Sequence, residues 1–143
     1  MKIQMHESIW ITVLLIVVTG CSKNLGASPP PTLFFPQQKE TPNAIMDALL
    51  IGKLVLVNNC LRVNDENDNS FLPIWPRGFS ARLNDGIIEV VDDQDQLIAQ
   101  VGDNLRIGGG EMPGQHIKED TLQPLPDDCP GPYWLVGDEI TRP

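Results

Sequence analysis

Ile87-Ile88-Glu89-Val90-Val91-Asp92-Asp93-Gln94-Asp95-Gln96-Leu97-Ile98-Ala99-Gln100-Val101 is the stretch on which the fold class turns. Two short runs of aliphatic, largely β-branched residues flank a polar block dominated by Asp. Such runs fit a pleated, half-buried surface, whereas clustered Asp favours an exposed turn. Neither run is long enough for an ordinary helix, so the stretch predicts a β-hairpin.

The same alternation of runs and turns extends in both directions. Upstream, Leu54-Val55-Leu56-Val57 and Cys60-Leu61-Arg62-Val63 predict strands, and Asn64 to Ser70 is a polar turn. Phe71-Leu72-Pro73-Ile74-Trp75 follows, with Pro73 pointing to an edge strand or a bulge. Phe79 to Leu83 alternates in polarity and ends at the turn Asn84-Asp85-Gly86. Downstream, Gly102-Asp103 turns into Leu105-Arg106-Ile107. After Gly108-Gly109-Gly110 a loop rich in Pro and acidic residues runs to Asp128, and Tyr133-Trp134-Leu135-Val136 is the last strand. Strands at intervals of about 8 to 12 residues indicate a small all-β domain. A barrel of about six or seven strands, OB-like in form, is expected ahead of a sandwich. Helix has room only at Asn43 to Leu50, which reads equally well as a first strand.

Before Ile45 the composition changes to Ser28-Pro29-Pro30-Pro31, Pro36, Gln37-Gln38 and Pro42, interrupted only by Leu33-Phe34-Phe35. This is the composition of a disordered or semi-rigid spacer. Earlier still, Lys2 precedes an apolar run from Ile9 to Val18, and Thr19-Gly20-Cys21 follows. That order of charge, apolar core and small residues is the order of a secretory signal. The run falls short of the roughly 20 apolar residues needed to cross a hydrocarbon core of about 30 Å.

Val18-Thr19-Gly20-Cys21 resembles the lipobox of bacterial lipoproteins, in which the cysteine is joined to a diacylglycerol and the peptide bond before it is cut. Val18 and Thr19 depart from that family's usual Leu and its frequent Ala or Ser. The resemblance implies a signal peptide over residues 1–20 and a lipidated Cys21; with the composition and the strand pattern, this gives a Pro-rich linker over 21–44 and a single β domain over 45–143. The resemblance further implies a membrane partner, through the lipid, and a place on the cell membrane or outer membrane facing the periplasm or the exterior. Ser22 after the cysteine, in place of Asp, favours the outer membrane where the cell has one.

The chain has three cysteines, and lipidation of Cys21 leaves Cys60 and Cys129. An even remainder in an exported protein suggests a disulfide between them. It would close a loop of about 70 residues, for which the chain-entropy model gives on the order of 4.4 kcal/mol at most. A metal site on free thiols is the alternative, but no CxxC or Cys-His cluster supports it. No metal and no cofactor is expected.

Among 143 residues, 19 Asp and Glu against 10 Lys and Arg give a net charge of −9. An acidic body argues against nucleic acid and anionic headgroups as ligands. It permits an envelope protein or a basic protein as partner, or a cation, while solubility and weak self-repulsion are the plainer reading.

Asp65, Asn67 and Asn69 mimic the start of a calcium-binding loop, but Ser70 stands where glycine is required and Pro76 where the closing Glu should be. Asp92, Asp93 and Asp95 offer a second carboxylate cluster. In both places an exposed turn is the simpler reading. Gly108-Gly109-Gly110-Glu111 lacks the Lys-Ser/Thr of a phosphate loop and more readily serves a close passage of chain. His116, the histidine of the body, lies in a Gly-, Pro- and Lys-containing loop, and Ser70 and Ser80 lack a nucleophile motif. The aromatic residues Trp75, Tyr133 and Trp134 sit beside prolines and glycines, where they either form a ligand platform or plug a barrel end.

Gly52-Lys53-Leu54, Cys60-Leu61-Arg62, Trp75-Pro76 with Gly78-Phe79, Gly108 to Glu111 and Cys129 to Trp134 together resemble an uncharacterised family of small exported bacterial β domains. That resemblance implies no catalytic residue. The expectation is a non-catalytic envelope lipoprotein with a binding or structural role. The alternatives are an inhibitor of a basic hydrolase such as lysozyme, and a hydrolase using carboxylates or His116.

Overall fold

The computed structural model describes residues 32–40 and 46–143. The signal segment and Cys21 lie outside them. The expected all-β class holds, in eight strands and one short helix: β1 (Ala48–Val57), β2 (Cys60–Asp65), β3 (Ser70–Ile74), β4 (Ser80–Asn84), β5 (Ile87–Val91), β6 (Leu97–Gln100), β7 (Asn104–Met112), α1 (Gly114–Asp120) and β8 (Tyr133–Thr141).

Five strands close a barrel in the order β1-β2-β3-β8-β7, and β4-β5-β6 form a separate sheet. β3 and β8 run parallel, while the other paired strands are antiparallel. This is an OB-like Greek-key barrel, with the three-stranded sheet inserted between its third and fourth strands. The strands counted from the sequence therefore divide between two sheets.

Alternation along the strands builds two apolar layers. Leu50, Leu54, Leu61, Val63, Phe71, Leu105, Ile107, Trp134 and Val136 fill the barrel, joined by Val90 and Ala99 from the second sheet. Residues of the opposite parity, Cys60, Leu72, Ile74 and Leu135, form a second cluster on the outer face of β2, β3 and β8. Ile117 of α1 and Cys129 of the β7–β8 connection cover it, with Leu125 and Phe34 packed alongside. A strand buried on both faces reads as a continuous apolar run, which is what Phe71 to Trp75 shows.

Pro73 lies inside the barrel, not on the edge strand its sequence predicts. Phe71 pairs with Val63 of β2, but the β2 ladder goes no further. Beyond it, Trp75 N donates to the Pro36 carbonyl at 2.9 Å, and Gln38 N donates to the Trp75 carbonyl at 2.9 Å. Pro73 shares that side of the strand, between the two partners, and Leu72 and Ile74 pair with β8 on the other side. The missing N–H therefore falls in the gap left where the β2–β3 ladder ends.

The strap that takes over there belongs to the stretch expected to be spacer up to residue 44. Pro36 and Gln38 are buried, and the Gln38 amide donates to the carbonyls of Ile74 at 2.8 Å and Val136 at 2.7 Å. On its far side the strap meets the β7–β8 connection, through Leu122 N to the Gln37 carbonyl at 2.8 Å and Lys39 N to the Asp120 carbonyl at 2.8 Å. The folded body thus reaches back to Leu33.

Two further expectations change. The glycine run lies within β7 and not after it. Gly109 has φ +144°, and a Cβ there would collide with the Leu135 carbonyl and the Trp134 indole nitrogen. The close chain passage foreseen for these glycines is thus met at Gly109. The Pro- and acid-rich loop contains α1, whose one buried residue is Ile117; a single buried position leaves no periodicity to read.

Candidate functional site

Of the proposed platform, both tryptophans are core. Trp75 is fully buried and Trp134 is 6% exposed. Phe35 of the strap stacks on Trp75 with ring centroids 5.4 Å apart and planes within 10°, and Phe71 meets Trp134 edge-on at 5.8 Å. A ring without an exposed face offers no platform. Both indole nitrogens are buried with no hydrogen-bond partner among the described residues. Tyr133 alone of the three is half-buried, with its ring against Gly131 and Gly114.

Next to it lies a group the sequence reading passed over. Arg62, on the outer face of β2, is 7% exposed. Its Nε donates to Ser70 Oγ at 2.8 Å, Nη1 to the Pro130 carbonyl at 2.8 Å, and Nη2 to the Ser70 carbonyl. Each acceptor is neutral. Burial lowers its pKa from the ordinary arginine value, and nearby Tyr133 opposes the shift. The guanidinium ties the β2–β3 hairpin to the chain before β8. Its one sequence signal is a lone charge inside Cys60-Leu61-Arg62-Val63. Ser70 Oγ in turn donates to Asn64 Oδ1 at 2.7 Å, which makes Ser70 a link in this network and not a free nucleophile.

Cys60 and Cys129 form the expected disulfide, with Cα atoms 5.8 Å apart. It joins the start of β2 to the same connection that Arg62 holds. In barrels of this topology the face of the second and third strands is open to ligands. Here disulfide, Arg62 and α1 close the chain over that face.

The two acidic clusters turn out to be one loop built twice. Asp65 N donates to the Asn69 carbonyl at 2.9 Å and Asp92 N to the Gln96 carbonyl at 3.0 Å. Asp65 Oδ1 accepts from Asn67 N and Asn69 N, both at 2.8 Å. Asp92 Oδ1 accepts from Gln94 N at 2.8 Å and Gln96 N at 2.9 Å. Asp68 and Asp95 occupy the matching left-handed position, at φ 63° and 61°. The shared pattern Asp-x-Asn/Gln-Asp-Asn/Gln is visible in the sequence once the loops are compared. The side-chain amide of Asn69 and the backbone amides of the loop hold the Asp65 carboxyl below its ordinary pKa. The leading carboxylates are spent on their own loops, and among the described residues no group of three or more His, Cys, Asp or Glu is arranged to hold a metal.

His116 is exposed on α1, and Ser80 is exposed at the start of β4. Glu89 is the most enclosed carboxylate of the described residues at 7% exposure. It accepts from Asn84 Nδ2 at 3.0 Å and Arg82 Nε at 2.8 Å, and these bonds, Asn84 first, lower its pKa. A folded-state pKa below the unfolded value gives a contribution to stability that is complete above the unfolded pKa, near 4.3. It is lost as the pH falls through the folded value. Glu89→Gln is therefore expected to flatten the fall of Tm between about pH 5 and pH 3, and thermal melts across that range check it.

The described residues contain no helix long and apolar enough to cross a membrane. Comparison of the chain with protein-family models, with curated proteins and with solved structures finds no match.

Proposed function

We propose that the chain is the precursor of an exported lipoprotein, cleaved before Cys21 and held on the cell membrane or outer membrane by lipid on that cysteine. The body is a non-catalytic β domain with a binding role in the envelope. The observation that carries this reading is the Cys60–Cys129 disulfide. Disulfides persist in oxidising compartments, and this one accounts for both body cysteines, leaving Cys21 as the odd thiol beside its lipobox-like sequence.

The strap adds a distance. With the folded body starting at Leu33, only residues 22–32 separate it from the anchor. Even fully extended they reach no more than about 40 Å, so the domain works close to the bilayer. Two or more acyl chains hold firmly where one is marginal.

Intact mass of the protein extracted from membranes tests the reading. A mature chain starting at Cys21, with acyl mass added and two hydrogens missing, is the expected result. An unmodified Cys21, or a chain that keeps residues 1–20, overturns it.

A further inference from the structure

We propose that the open edge of β4 is this domain's docking surface, and that its occupant is an extended segment of a basic protein, added as a fourth strand beside β4. This rests on the reading of the body as a binding domain, and it names the surface and the partner's chemistry.

The barrel is closed and offers no strand edge. The three-stranded sheet has two. The β6 edge is interrupted, because its pairing with β5 shifts register between Val90 and Val91. The chain after it is tied to β1, through Gly102 N to the Leu54 carbonyl at 2.8 Å and Leu54 N to the Asp103 carbonyl at 2.9 Å. β4 is blunted by neither a proline nor a bulge. Its register with β5 runs unbroken from Ser80↔Val91 to Asn84↔Ile87. Its one charge, Arg82, is engaged by Glu89.

Asp85 and Gly86, at φ 47° and 80°, make the two-residue turn that follows. Such a turn is closed by a hydrogen-bonded pair, here Asn84↔Ile87. Bonded pairs alternate along an antiparallel ladder, so Ala81 and Leu83 aim their N–H and C=O groups away from β5. Among the described residues no backbone group outside the sheet meets them. The Leu83 side chain is 72% exposed, the highest value for a large hydrophobic residue of the described chain, and Ile87 of the same hairpin is 44% exposed.

Charge selects the occupant. From residue 76 to 104 there are six carboxylates and two guanidiniums. Asp85 stands at the tip of the β4 edge. At the other end, a Cβ on Gly78 would lie 3.1 Å from the Asp93 Cβ, which places Asp93 beside the entry to β4. A strand carrying Lys or Arg at its ends and an aliphatic residue opposite Leu83 meets both features. Main-chain bonds would supply affinity and alternate side chains specificity. A second copy of this chain fits poorly, because antiparallel self-pairing sets Asp85 of one copy near Asp93 of the other.

The test uses the full chain in neutral-lipid nanodiscs, with empty nanodiscs as background. The probe is a ten-residue peptide alternating lysine and valine, and its glutamate-valine counterpart is the control. Expected are saturable binding of the lysine peptide that weakens with salt, protection of the Ala81 and Leu83 amides from exchange, and at least tenfold weaker binding to Ala81→Pro and Leu83→Lys. Ala81→Pro removes an N–H that β5 does not use, so the sheet keeps its own ladder. Glu89 side-chain contacts and the melt of each variant check that the hairpin is intact. Equal binding to Ala81→Pro, equal binding of the glutamate peptide, no binding at millimolar peptide, or self-association through β4 each overturns the proposal. None of these outcomes touches the mass measurement that decides the anchor.

Discussion

Trp75→Ala is expected to cost about 3–5 kcal/mol of folding free energy. That is a large share of the roughly 5–15 kcal/mol that holds a domain together. Trp75 is fully buried and is the largest fully buried side chain of the described residues. It also lies where three parts of the molecule meet: the end of β3, the strap that stacks Phe35 on it, and the barrel core. Its indole N–H has no partner, so truncation breaks no hydrogen bond and the loss is one of packing and cavity formation. Trp75→Phe keeps a ring against Phe35 and should cost clearly less. Equilibrium denaturation of the three proteins measures the order. If Trp75 were a ligand platform, its alanine variant would keep near wild-type stability, and a midpoint unchanged to within about 0.5 kcal/mol would remove it from the core.

Legibility in the sequence followed how local each feature is. The strands around Asp92 to Gln96 were readable because a half-buried strand alternates and an exposed turn collects Asp. Strand order is not local. Nothing within Phe71 to Trp75 tells that β8, more than fifty residues later, will lie parallel beside it. The misreading of Pro73 has the same origin: proline excludes a hydrogen bond on one side of a strand, and the sequence does not say that this side is free of β2 because the β2–β3 ladder ends at the Val63–Phe71 pair. Leu33-Phe34-Phe35 was the visible sign that the proline-rich stretch was not all spacer, since apolar residues in a solvated linker have nothing to bury against. Arg62 was hidden by its type. An arginine in a strand is expected to reach solvent, and its burial depends on carbonyls from Ser70 and Pro130 that come together only in the fold.

Removing the disulfide by Cys60→Ala together with Cys129→Ala should cost about 2–4 kcal/mol. The two residues are 69 positions apart, so the unfolded chain regains the freedom of a long loop, and the chain-entropy ceiling is on the order of 4.4 kcal/mol. For a domain of this size that corresponds to a fall in Tm of roughly 8–20 °C. The loss should not be spread evenly. The β1–β7 and β7–β8 ladders of the barrel do not involve either cysteine. The connection before β8 has little regular structure from residue 121 to 132, and once uncoupled it keeps to the barrel through Arg62 and the Leu72 N bond to the Pro132 carbonyl at 2.8 Å. Hydrogen exchange in the double variant is therefore expected to rise first at Leu72 and at position 129 while Leu54 stays protected. Reduction of the wild-type protein should reproduce both the Tm shift and that pattern, because neither route alters the remaining contacts of the outer face. A shift below about 1 kcal/mol would mean that Arg62 and the packing of Ile117 hold the connection unaided, and uniform loss of protection would mean that barrel and cover unfold as one unit. The Arg62→Met variant separates these, since with the disulfide intact it should loosen the same segment by a smaller amount, and combined with the cysteine changes it should cost more than the sum of the two.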